Sequence, residues 1–497
     1  MEGKLDWLWA FLLVISIFGV IAISEILRGI FKLDPEVTRK VVHISVGVAV
    51  FPAPIIFSSS LPMIAIALIF IVVNFLSIKM RLFKGMDSVE RQTFGTVYYP
   101  LAFLILVLVF WKNHPAIISI SMLALALGDA LAAIVGESVK NPKIYNLTGD
   151  KKSIQGSVAM FLTTAFIVAI FLYFTSDSIQ WWGKTLALSG EDIILISILT
   201  ALFTTVFEAI GSYGFDNLFI PISSSFMLYS LVVVDGLNQF LIAFALAILI
   251  AAISFKLKFL SLNGAVGTFI LAVIIFGVGG WKWTLPILAF FVLSSLISKI
   301  GKKKKENFDL IFEKSSTRDI YQVMANGGIA GLTAVIYQFL QNEIFYFAYL
   351  GSISAATFDT WATEIGTLFP TKPRLLTNFK RVEPGTSGAV SLKGSVGGLI
   401  GSIIIFSSAM LWVKFNFARL LVVVLSGLFG GFVDSFIGAT LQAQYKCNVC
   451  SKTTEKKFHC DNFTSLVRGK RWMNNDFVNF VCTSTGALSG LAFLMII

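Results

Sequence analysis

Two stretches of the chain carry the same short string of residues that could handle a phosphate. The first opens on Asp129, keeps the pattern D-x-x-A-x-x-x-G through Ala132 and Gly136, crosses a lysine-bearing segment, and closes on Ser153-Ile-Gln-Gly156-Ser157-Val. The second opens on Asp359, repeats the spacing through Ala362 and Gly366, crosses another basic segment, and closes on Ser391-Leu-Lys-Gly394-Ser395-Val. A carboxylate can bind a hard cation such as Mg2+ or take a proton from a hydroxyl. Lysine and arginine neutralise phosphate oxygens, and a glycine-serine helix start turns free amides and the positive end of the helix dipole toward an anion. Together these parts describe a phosphate site, written twice in the same order. An internal duplication with two related active sites is the expectation.

Further groups surround each string. Arg39 and His43 lie four apart, so they share one helical face on which a cation and an imidazole can meet an anion. Lys151 and Lys152 stand directly before Ser153, and Glu208, then Asp216-Asn217, follow as a second acidic group. In the second half Arg318 precedes Gln322 and Asn326 at helical spacing, much as Arg39 precedes His43. Glu364 follows Asp359, Arg374, Arg381 and Lys393 fill the next segment, and Asp434 comes late. The candidate catalytic carboxylates are Asp129, Glu208, Asp359 and Glu364, with Asp129 the choice as base and Glu208 its rival. The candidate Mg2+ ligands are Asp129 with Asp216 and Asn217, and Asp359 with Asp434. Arg39, His43, Lys151, Lys152, Arg318, Arg381 and Lys393 are the candidate phosphate contacts, with the two Ser and Gly-Ser helix starts. Plainer readings stand beside these. Basic residues orient spanning helices, and a buried aspartate can simply bond to a neighbouring helix.

Cys447-x-x-Cys450 followed by His459-Cys460 could offer three thiolates and an imidazole to Zn2+, or be a loop with free thiols. A nucleotide site of the G-x-x-x-x-G-K-[ST] kind is not expected, because that string is absent.

The elements that must position these groups are membrane helices. Hydrophobic residues are 56% of the 497 and charged residues 13%, which no single soluble core could hide. About sixteen apolar runs, most near 20 residues, recur along the chain. They are 5–27, 40–57, 61–78, 95–111, 115–137, 157–174, 192–211, 219–234, 236–255, 262–281, 283–299, 322–341, 344–365, 395–413, 417–440 and 477–496. The expected fold is an all-α polytopic membrane protein of two parallel-repeat halves, 1–255 and 256–497, the second lacking one hairpin. The net charge of +11 could suggest nucleic acid, but Lys and Arg crowd loops that the span count puts on one side. By the positive-inside rule that side is cytoplasmic, and both sites face it. A prokaryotic plasma membrane is the expected setting, and nucleic acid is not an expected partner.

The residues also carry a resemblance. Gly128-Asp129-Ala-x-Ala132, Lys151-Lys-Ser153-x-x-Gly156-Ser157, Glu208 and Asp216-Asn217, with Arg39-Lys-x-x-His43 upstream, resemble the phytol kinase branch of the membrane family that also holds dolichol kinase and CDP-diacylglycerol synthase. That likeness covers most of residues 1–235. Residues 256–497 resemble phytyl-phosphate kinases through Asn326-Gly327, Phe358-Asp359-Thr-x-Ala-x-Glu364-x-Gly366, Gly388-x-x-Ser391-x-x-Gly394-Ser395, Asp434-Ser435-x-x-Gly438-Ala-Thr-x-Gln442 and Asn474-Asn475-Asp476. The resemblance implies two consecutive phosphorylations of a long-chain isoprenoid alcohol, first to the monophosphate and then to the diphosphate, using CTP or ATP with Mg2+. Two other readings stay open: cytidylyl transfer to a lipid phosphate, and secondary transport with Asp129 and Asp359 as ion sites.

Overall fold

The computed structural model describes residues 2–32, 35–80, 94–300, 317–369 and 372–496. The basic positions Arg81, Lys84 and Arg91 and most of the 299–318 loop lie outside the described residues. The chain divides into two compact units, Met1–Leu237 and Asn238–Ile497.

In lipid every backbone N–H and C=O has to be satisfied within its own segment, so an apolar run becomes a helix. Among the described residues thirteen helices are long and apolar enough to cross a membrane. The runs read from the sequence all fall on helices, and the count differs at particular places. Runs 262–281 and 283–299 are two helical pieces of Leu262–Lys299, counted together above and separated by a kink at Gly280, whose φ of 56° favours glycine. Run 95–111 is a shorter helix, Gly95–Phe110. Run 344–365 lies on Ile344–Leu368, where Asp359, Glu364 and several Ser and Thr dilute the apolar character.

The boundary also moves. Helix Leu237–Lys256 packs into the second unit: Phe240 fills the space beside Gly277, and Gln239 Nε2 donates to the carbonyls of Phe276 and Gly277 at 3.1 and 2.8 Å. Half of the apolar runs therefore fall in each unit, and the second lacks no hairpin.

In the first unit, helix Pro115–Leu123 continues through a π-helical turn, Ala124–Asp129, into Ala130–Ser138. Gly47 lets helix Pro35–Val50 approach so closely that a Cβ there would sit 2.1 Å from the Ala126 Cβ. Small residues at crossings are the usual means by which membrane helices pack. In the second unit the central helix is Ile344–Leu368, and Gly351 and Gly486 bring Asn475–Ile496 against it in the same way.

The packing order is alike in the two units. Gly95–Phe110, Pro115–Ser138, Ile154–Thr175, Gly190–Ile210 and Asp216–Leu228 pack in succession, and the last returns to the first. Ile320–Leu340, Ile344–Leu368, Leu392–Ala409, Phe417–Thr440 and Asn475–Ile496 do likewise. The outer sides stay apolar, as a lipid-facing surface requires. Leu162, Phe166, Tyr173 and Phe174 on Ile154–Thr175 are all exposed.

The architecture is mostly helical rather than all-α. Short antiparallel strands pair in the polar connections: 144–146 with 151–153, 374–375 with 389–390, 444–446 with both 453–454 and 465–468, and 458–459 with 462–463.

Candidate active sites

Each recurring string is held together by a glycine crossing. A Cβ on Gly136 would meet Ser153 Oγ at 2.7 Å, and one on Gly156 would meet the Ala132 carbonyl O at 2.7 Å. The second unit repeats both contacts: Gly366 against Ser391 Oγ at 3.1 Å, and Gly394 against the Ala362 O at 2.6 Å. Ser153 and Ser391 are helix N-caps, accepting from the Gly156 and Gly394 amides at 3.1 and 3.2 Å. Ser153, Gly156 and Ser157 line the first cavity, and Ser391, Gly394 and Ser395 the second. The two glycine amides are already bonded, and the lack of a side chain serves the crossing. Ser157 is engaged as well, its Oγ 2.6 Å from the Tyr145 hydroxyl. The Ala and Gly of the string thus pack the crossing, which sets the aspartate-bearing helix against the serine-glycine helix start at the cavity.

In the first unit, Asp129 closes the π turn and faces a cavity of about 620 Å³. Lining it are Lys152, Glu208, Asp216, Asn217, Arg39 and His43, so the structure brings the acids and the expected cations together. The hairpin 144–146/151–153 carries Lys152 in. It is pinned by Thr148 Oγ1 donating to the Ile210 carbonyl (2.7 Å) and by Asp150 accepting from the Tyr213 amide (2.9 Å). Lys152 Nζ then stands 2.7 Å from Glu208 Oε1 and 3.3 Å from Asp216 Oδ2. Burial by itself would push the Lys152 ammonium down, but Glu208, Asp216 and Asp129 outweigh it and its pKa is raised. Lys152 is thus a fixed positive charge. Lys151 also lines the cavity but is exposed, and Lys40 pairs with Glu137 at its rim at 2.8 Å.

Among the described residues, several buried polar atoms here have no partner: His43 Nε2, the Tyr99 hydroxyl, Glu208 Oε2 and Asn217 Oδ1. The His43 ring stands edge-on to Tyr99, centroids 4.9 Å apart. Buried polar groups are rarely left unpaired, so these atoms mark where a polar ligand would bind. Ile17, Ile21, Val46, Phe70 and Phe103 line the apolar part of the same cavity.

The second unit encloses a cavity of about 820 Å³. Asp359, Asp434 and Glu455 face it, and the first two are within hydrogen-bond reach of each other. Asp434 Oδ2 is buried with no partner. Carboxylates so close cannot both stay ionised without a shared proton or a cation between them, which fits them to hold Mg2+. Glu364 accepts from Ser298 Oγ at 2.6 Å and also lines the cavity.

The expected basic loop does not serve this site. Pro384 to Val390 form one wall, but Arg374, Arg381 and Lys393 are not among the lining residues. Arg381 is exposed, and the Lys393 ammonium sits 5.6 Å over the Phe369 ring. Among the described residues, the cations that line the cavity are Lys258, Lys299 and Arg318. Arg318, Gln322 and Asn326 enter Ile320–Leu340, which in the packing order answers to Gly95–Phe110, whereas Arg39 and His43 sit on Pro35–Val50, outside that order. Their likeness in sequence does not make them equivalent in place.

Sequence reasoning missed Tyr99 and Asn74, which line the first cavity, and Glu455, which lines the second. Tyr99 and Asn74 stand in apolar runs with no motif around them. Glu455 lies between the Cys450 and His459 of the candidate zinc motif, where the lysine-rich composition conceals it. Cys447, Cys450, His459 and Cys460 themselves do converge.

Fold and sites together define a multi-pass integral membrane protein with an acid-lined cavity in each unit. Residues 245–487 match the integral membrane protein DUF92 family, and the chain belongs to it. It is similar to Protein PGR of Arabidopsis thaliana, 32% identical over 270 residues, covering 49% of this chain and 92% of that protein. A phytol kinase of Synechocystis is 28% identical over 228 residues, 45% of this chain and 91% of its own length. An uncharacterized membrane protein of Methanocaldococcus jannaschii, MJ0933, is 29% identical over 264 residues, 52% and 97% respectively. Each relative is matched nearly end to end by about half of this chain. No solved structure matches it.

Proposed function

We propose that the chain is a membrane lipid kinase with two sites. The first unit phosphorylates an isoprenoid alcohol of the phytol or geranylgeraniol type, and the second converts the monophosphate to the diphosphate, each with CTP or ATP and Mg2+. The observation that carries this reading is an Asp-bearing glycine crossing beside a buried acidic cavity in each unit, in a chain with relatives named phytol kinase.

In the first cavity Asp129 accepts the hydroxyl proton as the alcohol oxygen attacks the γ-phosphorus. The bond to the β,γ-bridging oxygen breaks, and the nucleoside diphosphate leaves. Lys152 and Arg39 neutralise phosphate oxygens, and Glu208 holds Lys152 in place. The apolar wall of Ile17, Ile21, Phe70 and Phe103 takes the prenyl tail. In the second cavity the nucleophile is already an anion, so no base is needed and the difficulty is repulsion between phosphates. Arg318, Lys258 and Lys299 meet that charge. Asp129, Asp216 and Asn217 in the first cavity, and Asp359 and Asp434 in the second, are the residues that would hold Mg2+, which would supply further neutralisation. The basic connections support a cytoplasmic face for both reactions.

The test is incubation of the purified full chain with geranylgeraniol, Mg2+ and CTP or ATP in parallel, with lipid products read by mass spectrometry. Monophosphate followed by diphosphate is expected. A lipid carrying CMP would replace the reading with cytidylyl transfer, and no phosphorylated lipid from folded protein would favour transport.

A further inference from the structure

The segment 444–468 between helices Phe417–Thr440 and Asn475–Ile496 is built from strands and tight turns and carries almost no core of its own. Val449, Phe458, Phe463 and Val467 are all exposed, and the buried set is little more than Tyr445, Cys447, Thr454, Glu455 and His459. A piece of chain this short does not hold one conformation by hydrophobic burial and usually needs a disulfide or a metal. Among the described residues no cysteine is in a disulfide.

The geometry points to a metal. We propose that Cys447, Cys450, His459 and Cys460 hold one Zn2+ ion, and that this ion fixes Glu455 in the second cavity. The four ligand atoms lie within 4.8 Å of one another. Cys460 Sγ is 3.1 Å and Cys450 Sγ 3.7 Å from His459 Nδ1, near the ligand spacing of roughly 3.5–3.8 Å that tetrahedral Zn–S and Zn–N bonds impose. The ligands come in pairs from two turns. Cys447 and Cys450 belong to a knuckle in which the Val449 and Cys450 amides point at Cys447 Sγ, at 3.4 and 3.5 Å. His459 and Cys460 belong to a hairpin whose two turn residues, Cys460 and Asp461, have φ of 51° and 57°. Amides turned toward a sulfur stabilise a thiolate, the form that binds metal.

Glu455 lies on the strip of chain joining these two turns. Its Oε1 accepts from Ser387 Oγ at 2.6 Å and from Gln442 Nε2 at 3.0 Å, and the residue is 8% exposed. Ser387 belongs to the cavity wall 384–390, so Glu455 ties that wall to the metal-bearing segment and sets a third carboxylate facing Asp359 and Asp434. Releasing the turns frees the strip and, with it, both bonds. Glu455 is a positioning residue, acting through the wall and the acid pair.

Metal binding stands without reference to any activity; the catalytic arm rests on the two-step reading above. Full-length protein purified without chelator is expected to carry about one zinc per chain by elemental analysis, the stoichiometry of a four-ligand site. Replacement by Co2+ should give thiolate-to-cobalt charge-transfer bands and the d–d bands of a tetrahedral ion. Cys450→Ser with Cys460→Ser should abolish both signals. His459→Ala should lose the metal, and His459→Cys should restore it with the spectrum of an all-thiolate site. Conversion of monophosphate to diphosphate should fall about 10- to 100-fold in His459→Ala, the scale on which outer-shell changes act, and should recover in His459→Cys. Glu455→Gln should keep the zinc and lose conversion alone, while alcohol phosphorylation persists in every variant. Zinc that stays bound after the double cysteine substitution, or protein that binds none when zinc is added, would overturn the site. A zinc-free variant that converts monophosphate at the original rate would overturn the positioning role. Zinc bound as described in a protein that never phosphorylates a monophosphate would overturn the proposed second step and leave the metal site standing.

Discussion

The two cavities are built on one crossing and differ in where their positive charge comes from. Counted from Ser153 and Ser391, the residue that is Lys152 in the first unit is Val390 in the second. The first cavity therefore contains its own cation, bonded to two carboxylates. In the second, Asp359, Asp434 and Glu455 gather with no lysine at that place, and the cations among the described residues are Lys258, Lys299 and Arg318. A second contrast lies behind the aspartates. Gly128 faces Met160, while Phe358, at the corresponding position, faces Gly398. Large and small have changed places across the same gap. One scaffold can thus keep its aspartate in position while the charge and bulk around it are redistributed.

The comparison can be broken most directly at the aspartates. Asp129→Asn should lower alcohol phosphorylation by about 10²–10³-fold, the scale for losing one preorganised charge-stabilising group, and leave monophosphate conversion intact. Asp359→Asn should do the reverse, with monophosphate accumulating in the same mass-spectrometric assay. Equal loss of both steps in either variant would remove the two-site reading. Next in size is the built-in cation. Lys152→Met removes the cation beside the buried Glu208 carboxylate and leaves half-buried Asp216 with the Asn217 amide, and should destabilise the first unit by about 3 kcal/mol, read as a shift in its thermal unfolding in detergent. Val390→Lys, which writes that cation into the second cavity, should lower the Mg2+ concentration needed for half-maximal monophosphate conversion. An unchanged Mg2+ profile would mean the two cavities are not electrostatically alike.

Smaller effects test the exchanged packing. Gly398→Met should cost about 1–3 kcal/mol by overfilling the space against Phe358. Combined with Phe358→Gly, which recreates the first unit's arrangement, it should cost less than the two single changes summed, a coupling that a double-mutant cycle measures. Smallest are the caps. Ser153→Ala and Ser391→Ala each remove one bond to a glycine amide and should cost about 1 kcal/mol by the same unfolding measurement.

Which parts of this were readable beforehand follows from what a sequence encodes locally. Asp129, Asp359 and Asp434 stood out because a carboxylate inside an apolar run is costly unless something uses it. The apolar runs became helices because lipid leaves the backbone no alternative. Ser153 and Ser391 were recognisable as helix starts, but the packing role of the glycines after them was not, since only the crossing shows that a carbonyl occupies the space a side chain would need. Arg381 and Lys393 were misplaced for a related reason: a basic residue beside a spanning helix reports the membrane interface and not the direction of its side chain. The π turn that ends on Asp129 has no sequence signal. Glu455 reaches its cavity through long-range pairing of a lysine-rich loop, which no local pattern shows.

The closed neck of the 444–468 segment bears on how the second cavity is held together. The Ala443 amide bonds to the Met473 carbonyl, and the Lys470 amide to that of Leu441, at 2.9 and 3.0 Å. Where this stretch leaves helix Phe417–Thr440 is therefore also where helix Asn475–Ile496 begins. The neck acts as a clasp: Asp434 comes to the cavity from one of these helices, Asn475 and Asn479 from the other, and the two bonds fix their ends together.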